Sequence, residues 1–187
     1  IGQYYHHLEK KQFKSADHII SITKDFLELF EEFDVNKEKI SVIENWGSID
    51  EIDITEKNNP WAKINKLDHK RFRILYSGTW GFKHNPKYIE RLAIDNPDID
   101  FLIVGTGVGF EYLKNLPPLT NLILKPLQPM ACFSEVLGSA DICLAVLEDD
   151  AGIFSVPSKV LSYLCAGKPI LMHGPKENLA SKIIQTN

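Results

Sequence analysis

Hydrophobic positions fall into short unbroken runs separated by segments with three- and four-residue spacing, and this alternation becomes regular from Arg71 onward. Unbroken runs of strand length predict strands buried on both faces, and the wider spacing predicts helices packed against them. Strands are expected at 72–77, 100–104, 122–124, 141–146 and 169–172. Helices are expected at 86–93, 109–114, 130–139, 158–166 and 176–184. Pro86 suits a first helical turn and Gly167 suits a carboxyl-terminal cap. Strands and helices in strict alternation predict an α/β fold, a Rossmann-like doubly wound parallel sheet.

The first 70 residues are less regular. Residues 1–15 are polar and aromatic and read as the tail of a helix. Residues 16–22 and 40–43 are β-branched runs that read as strands. Between them Thr23 is placed to cap a helix whose apolar positions are Phe26, Leu27, Leu29, Phe30 and Phe33. Residues 45–50 read as a turn. Residues 51–70 are polar, contain Asn58-Asn59-Pro60, and read as a linker or crossing.

Composition narrows the field. The 187 residues are 44% hydrophobic and 25% charged, which is globular usage, and the formal charge of −4 gives no nucleic-acid footprint. No apolar run approaches the ~18–20 residues of a membrane span. Cys132, Cys143 and Cys165 lie in or beside apolar stretches without metal-ligand spacing. They are expected to be buried, reduced thiols of a cytosolic protein. No metal site is expected, and the His6-His7 pair reads as solvated. The chain opens on Ile1, and the expectation is a piece of a longer protein that stops within its last helix.

In a doubly wound sheet ligands bind beyond the carboxyl ends of the strands, so the loops there carry the candidate chemistry. The loop from Gly78 and Thr79 to Lys83 combines glycines, a cation and the following helix start. Such a place suits an anion; a glycine turn with a solvated lysine is the alternative. Ser158 and Lys159 open another helix after a long loop, with a capped helix and surface lysine as the alternative. Two such starts facing one cleft would fit a diphosphate. Lys125, Pro126 and Leu127 follow a strand and could flank a flat base, though a plain loop would look the same. Gly105-Thr106-Gly107-Val108-Gly109 is similar to a dinucleotide fingerprint, but Phe110 fills the third glycine position and Lys125 stands where an acid is needed. A tight turn is the better reading.

Several segments together resemble retaining glycosyltransferases of the GT-B fold, the group that builds bacterial capsule, colanic acid and O-antigen chains. They are residues 16–22, 43–50 (Ile43-Glu44-Asn45-Trp46-Gly47-Ser48-Ile49-Asp50), Tyr76-Ser77-Gly78, residues 102–107, Ala140-Asp141-Ile142, and above all Pro157-Ser158-Lys159 through Ala166-Gly167-Lys168-Pro169. The resemblance implies one half of a two-domain enzyme. Residues 1–55 would end the acceptor domain, 56–70 would be a linker, and 71–187 would be the donor-binding domain, truncated at its carboxyl end. Gly78, Thr79, Lys83, Ser158 and Lys159 would hold the donor diphosphate. Lys125, Pro126, Leu127 and Ser162 would meet the base or ribose, and Ala151, Gly152 and Ile153 the sugar.

The substrate implied is a UDP- or GDP-linked sugar, with no separate cofactor and no assigned catalytic residue. The acceptor would be lipid-linked or a saccharide, held by the missing domain. The setting would be the cytoplasm, with peripheral association at the inner membrane face open to the full-length protein. Phe154 and Ser162 stand where many relatives carry two glutamates in an E-x7-E pattern. Two other readings share this scaffold: a non-catalytic α/β module that binds a nucleotide or a protein partner, and a GT-B-fold sugar-nucleotide epimerase.

Overall fold

The computed structural model describes residues 2–47, 49–81, 84–148 and 158–186. The chain divides into two compact units, Ile1–Trp46 and Gly47–Asn187. In the first, helix α1 (Gly2–Ser15), strand β1 (Ile19–Ser21), helix α2 (Leu27–Glu32) and strand β2 (Ile40–Val42) follow the expected order. The two strands pair in parallel, with Ile19 opposite Ile40. Phe30, Phe33 and Val35 form their core, and Phe13 of α1 packs against it. Thr23 does cap, accepting from the Asp25 N–H, but over one 3-10 turn that precedes α2.

The unit boundary falls earlier than the expected one at residue 55, because the intervening residues are tied to the second unit. Ile52 is buried in that unit's core. The Asp53 N–H donates to the Ser134 hydroxyl, and the Thr55 hydroxyl donates to the Ser134 carbonyl. Residues 56–70, expected as a linker, contain helix α3 (Pro60–Ile64). Asn59 caps it by accepting from the Ala62 N–H, and Trp61 and Ala62 are buried. Short caps flanked by polar residues hide this helix from a periodicity reading.

Five parallel strands make the sheet of the second unit: β3 (Arg73–Thr79), β4 (Asp100–Thr106), β5 (Leu122–Pro126), β6 (Ile142–Val146) and β7 (Ile170–His173). Helices α4 (Pro86–Asp95), α5 (Val108–Lys114), α6 (Phe133–Gly138), α7 (Lys159–Cys165) and α8 (Leu179–Thr186) alternate with them. The spatial order is β5-β4-β3-β6-β7, the Rossmann-like arrangement expected. Alternate residues of each strand feed two cores. Leu75, Val104 and Cys143 pack with Val136 of α6 and Val160 and Tyr163 of α7. Tyr76, Ile103 and Val146 pack on the other face with Ile89 of α4 and Phe110 of α5. Each large side chain so buried contributes about 1.5–3 kcal/mol, which is why both faces of these strands are apolar.

The last helix begins later than expected, at Leu179, because the Asn178 side chain accepts from the Ala180 N–H and sets the start there. Of the cysteines, Cys143 is buried and its thiol is pushed up to about 12 by burial, whereas Cys132 and Cys165 are only half-buried. Among the described residues no helix is long and apolar enough to cross a membrane.

Candidate functional site

Strand order reverses direction at β3, which has β4 on one side and β6 on the other. Pairing with β4 continues to the last residue, Thr79 opposite Thr106. Pairing with β6 stops at Leu75 opposite Cys143. The carboxyl halves of β3 and β6 therefore separate, and a crevice opens where such folds hold ligands. Tyr163 fills its base: its hydroxyl accepts from the Ser77 N–H at 3.1 Å, a donor that β6 no longer uses. Full burial raises the Tyr163 phenol pKa well above its ordinary value.

One turn earlier on α7, Lys159 reaches across the end of the sheet to Tyr76, whose ring belongs to the opposite core. The ammonium donates to the Tyr76 hydroxyl at 2.6 Å and lies 4.0 Å from the ring centroid. The Tyr76 hydroxyl in turn donates to the Thr79 carbonyl at 2.9 Å. Burial lowers the Lys159 pKa to about 8, and burial raises that of Tyr76. Among the described residues no carboxylate pairs with Lys159.

A cavity of about 540 Å³ opens above this cation. Gly78, Thr79, Ser158, Lys159 and Ser162 make its polar end, and Leu127, Met130, Phe133 and Val136 an apolar wall. Gly78 has φ +132°, which an L side chain rarely adopts, and Lys159 Nζ lies 3.8 Å from where a Cβ would stand. Its neighbour in the sheet, Gly105, has no room for a Cβ because the Gly78 carbonyl oxygen occupies that space. The end of β3 thus exposes backbone at the cavity, with Gly105 packed against it.

The structure brings together Gly78, Thr79, Leu127, Ser158, Lys159 and Ser162 of the expected site residues. Lys125 and Pro126 are not loop residues: they end β5, paired with Val104 and Gly105, and neither lines the cavity. β5 is an edge strand, where a proline is tolerated. Lys83, Ala151, Gly152, Ile153 and Phe154 lie outside the described residues. The start of α4, expected to face the same cleft, lines a separate cavity of about 400 Å³ with Gly81, His84 and Glu148. There the Glu148 carboxylate already accepts from the Asn85 N–H at 2.9 Å. The glycine series after β4 serves packing: Gly107 turns the chain at φ +106°, and Gly109 lies beneath the Trp80 indole.

Tyr76, Tyr163, Gln128, Met130 and Phe133 were missed by sequence reasoning. Met130 and Phe133 follow the β5 loop closely enough for its position to have pointed to them. The contact between Tyr76 and Lys159 spans 83 residues and leaves no local signal.

No protein-family model matches the chain, and no curated protein matches it in sequence. Solved structures do match. A glycosyltransferase from Rickettsia africae superposes with a TM-score of 0.68 at 16% identity, covering 93% of this chain and 55% of its own. Anabaena HepE, solved in complex with UDP-glucose, gives 0.69 at 15% identity over 100% of this chain and 58% of that one. WaaG, a glycosyltransferase involved in lipopolysaccharide biosynthesis, gives 0.70 at 14% identity over 98% of this chain and 51% of that one. The chain has the fold of part of a GT-B glycosyltransferase. It spans about half the length of these solved chains.

Proposed function

We propose that the chain is the donor-binding part of a glycosyltransferase that takes its sugar from a nucleoside-diphosphate sugar. The observation that carries this reading is Lys159, a half-buried cation with a phenol but no described carboxylate as partner, facing a cavity at the switch point of the sheet. A diphosphate placed there would receive charge from Lys159 and hydrogen bonds from Ser158 and Thr79. The apolar wall would take the base, and Ser162 a ribose hydroxyl. As the sugar leaves the diphosphate, negative charge grows on the bridging oxygen, and a fixed cation in a partly dry site stabilises it. The Anabaena structure with UDP-glucose supports the choice of ligand class.

The finer reading is transfer with retention to a lipid-linked or saccharide acceptor in cell-surface polysaccharide synthesis, at the inner face of the cytoplasmic membrane. The first unit would then be the end of an acceptor-binding half. A two-stranded parallel sheet is too small to stand alone, which supports its belonging to a larger sheet. Thermal melts of the folded chain test the donor site: UDP or GDP at millimolar concentration should raise the midpoint. No rise with either nucleotide would favour a non-catalytic module. The chain alone should not transfer sugar, and measurable transfer would contradict the two-half account.

A further inference from the structure

The cavity wall formed by the loop after β5 is not held by the sheet. Gln128 spans it: the side-chain amide donates to the Pro126 carbonyl at 2.8 Å, and its oxygen accepts from the Trp61 indole N–H at 3.0 Å. Leu127, between these two fixed points, is turned outward and is 50% exposed at the cavity rim. Trp61 itself is buried and anchored through its backbone. It is 5% exposed, and its backbone N–H donates to the Glu135 carboxylate at 2.7 Å. Asn59, which caps α3, also donates to the Glu135 carbonyl at 2.7 Å. A helix from the presumed linker thus reaches the ligand cavity through one glutamine.

We propose that Trp61 is a positioning residue of the base subsite: through Gln128 it fixes the loop whose Leu127 meets the nucleobase. The proposal rests on the donor-site reading and adds to it a determinant far from the diphosphate. The hydrogen-bonded link runs to the base end: among the described residues neither Trp61 nor Gln128 hydrogen-bonds Lys159, Ser158 or Gly78. Its loss should therefore separate recognition of the base from recognition of the phosphates. A residue that only supported the fold would weaken both.

Calorimetric titration of the 187-residue chain with UDP, GDP and inorganic pyrophosphate tests this. Trp61→Phe keeps the buried ring and deletes the N–H. It should weaken the preferred nucleotide roughly three- to tenfold and leave pyrophosphate within about twofold. Gln128→Leu should do the same, and the double variant should lose little more than either single one, since the two residues act as one link. Equal weakening of nucleotide and pyrophosphate, an unchanged nucleotide affinity, or additive losses would each overturn the proposal. If the unaltered chain binds neither nucleotide nor pyrophosphate, the donor-site reading itself fails and takes this one with it.

Discussion

Arg73 and Lys159 are two cations withdrawn from water at opposite ends of strand β3. At the amino end Arg73 is 0% exposed, and both of its terminal guanidinium nitrogens are hydrogen-bonded. It donates to the Ser139 and Asp68 carbonyls at 2.8 Å each and to the Asp100 carboxylate at 3.3 Å. Arg71 completes the pair from the other side of Asp100 at 2.6 Å, and Lys57 joins Asp141 beside it. At the carboxyl end Lys159 has a phenol and a ring face. Its pKa of about 8 stands below the ordinary 10.5 because of burial alone, a cost on the order of 3 kcal/mol. One end of the sheet is closed by its own charges. The other holds a charge that no described carboxylate pairs, the feature on which the proposed anion site rests.

The largest expected effect is at the closed end. Arg73→Met would leave Asp100 buried with only Arg71 to face it, and should destabilise the second unit by roughly 3–5 kcal/mol, read as a fall in the urea midpoint. The same change at the open end should have the opposite sign. Lys159→Met removes a charge that no described carboxylate pairs, and should raise stability by roughly 1–2 kcal/mol. Equal destabilisation by both would erase the distinction between the two ends.

A pH series sharpens it. Between pH 8 and 10.5 the unfolded chain keeps the Lys159 proton that the folded chain has released. Unfolding then takes up protons, so the contribution of Lys159 to stability rises with pH across that window. Binding runs the other way. A diphosphate needs the protonated ammonium, so affinity should be close to level between pH 7 and 7.5 and decline above pH 8, approaching about tenfold per unit. Phosphate second ionisations lie near ~6 and do not disturb the window. A flat profile from pH 7 to 9.5 would mean that Lys159 does not meet the ligand. The smallest effect expected is Ser162→Ala, a loss of about two- to fivefold in nucleotide affinity, because a neutral hydroxyl replaces the carboxylate common in this position among the enzymes it resembles.

The contrast between the two ends also separates what the sequence reveals from what it conceals. The order of strands and helices in the second unit is legible because burial on both faces forces unbroken apolar runs, and caps such as Asn85 with Pro86 mark a helix start. Lys159 could be singled out from its place after a long loop and before a helix. That it is a half-buried cation on a phenol, with no described carboxylate beside it, could not, since Tyr76 lies in a distant strand whose side chain faces the other core. Residues 56–70 misled for the converse reason: their polar residues look like a tether, yet Asn59 spends its polarity on a cap and Trp61 on Gln128. Polar residues that hydrogen-bond inside the fold cannot be told from solvated ones by composition.

The central claim is that the open end of β3 binds a nucleoside diphosphate through Lys159. Calorimetric titration of UDP and GDP into the unaltered chain and into Lys159→Met tests it most directly. Saturable binding by the unaltered chain, weakened about ten- to a hundredfold in a variant that is folded and more stable, is the predicted result. Equal affinity in the two chains, or no binding by the unaltered one, would contradict it.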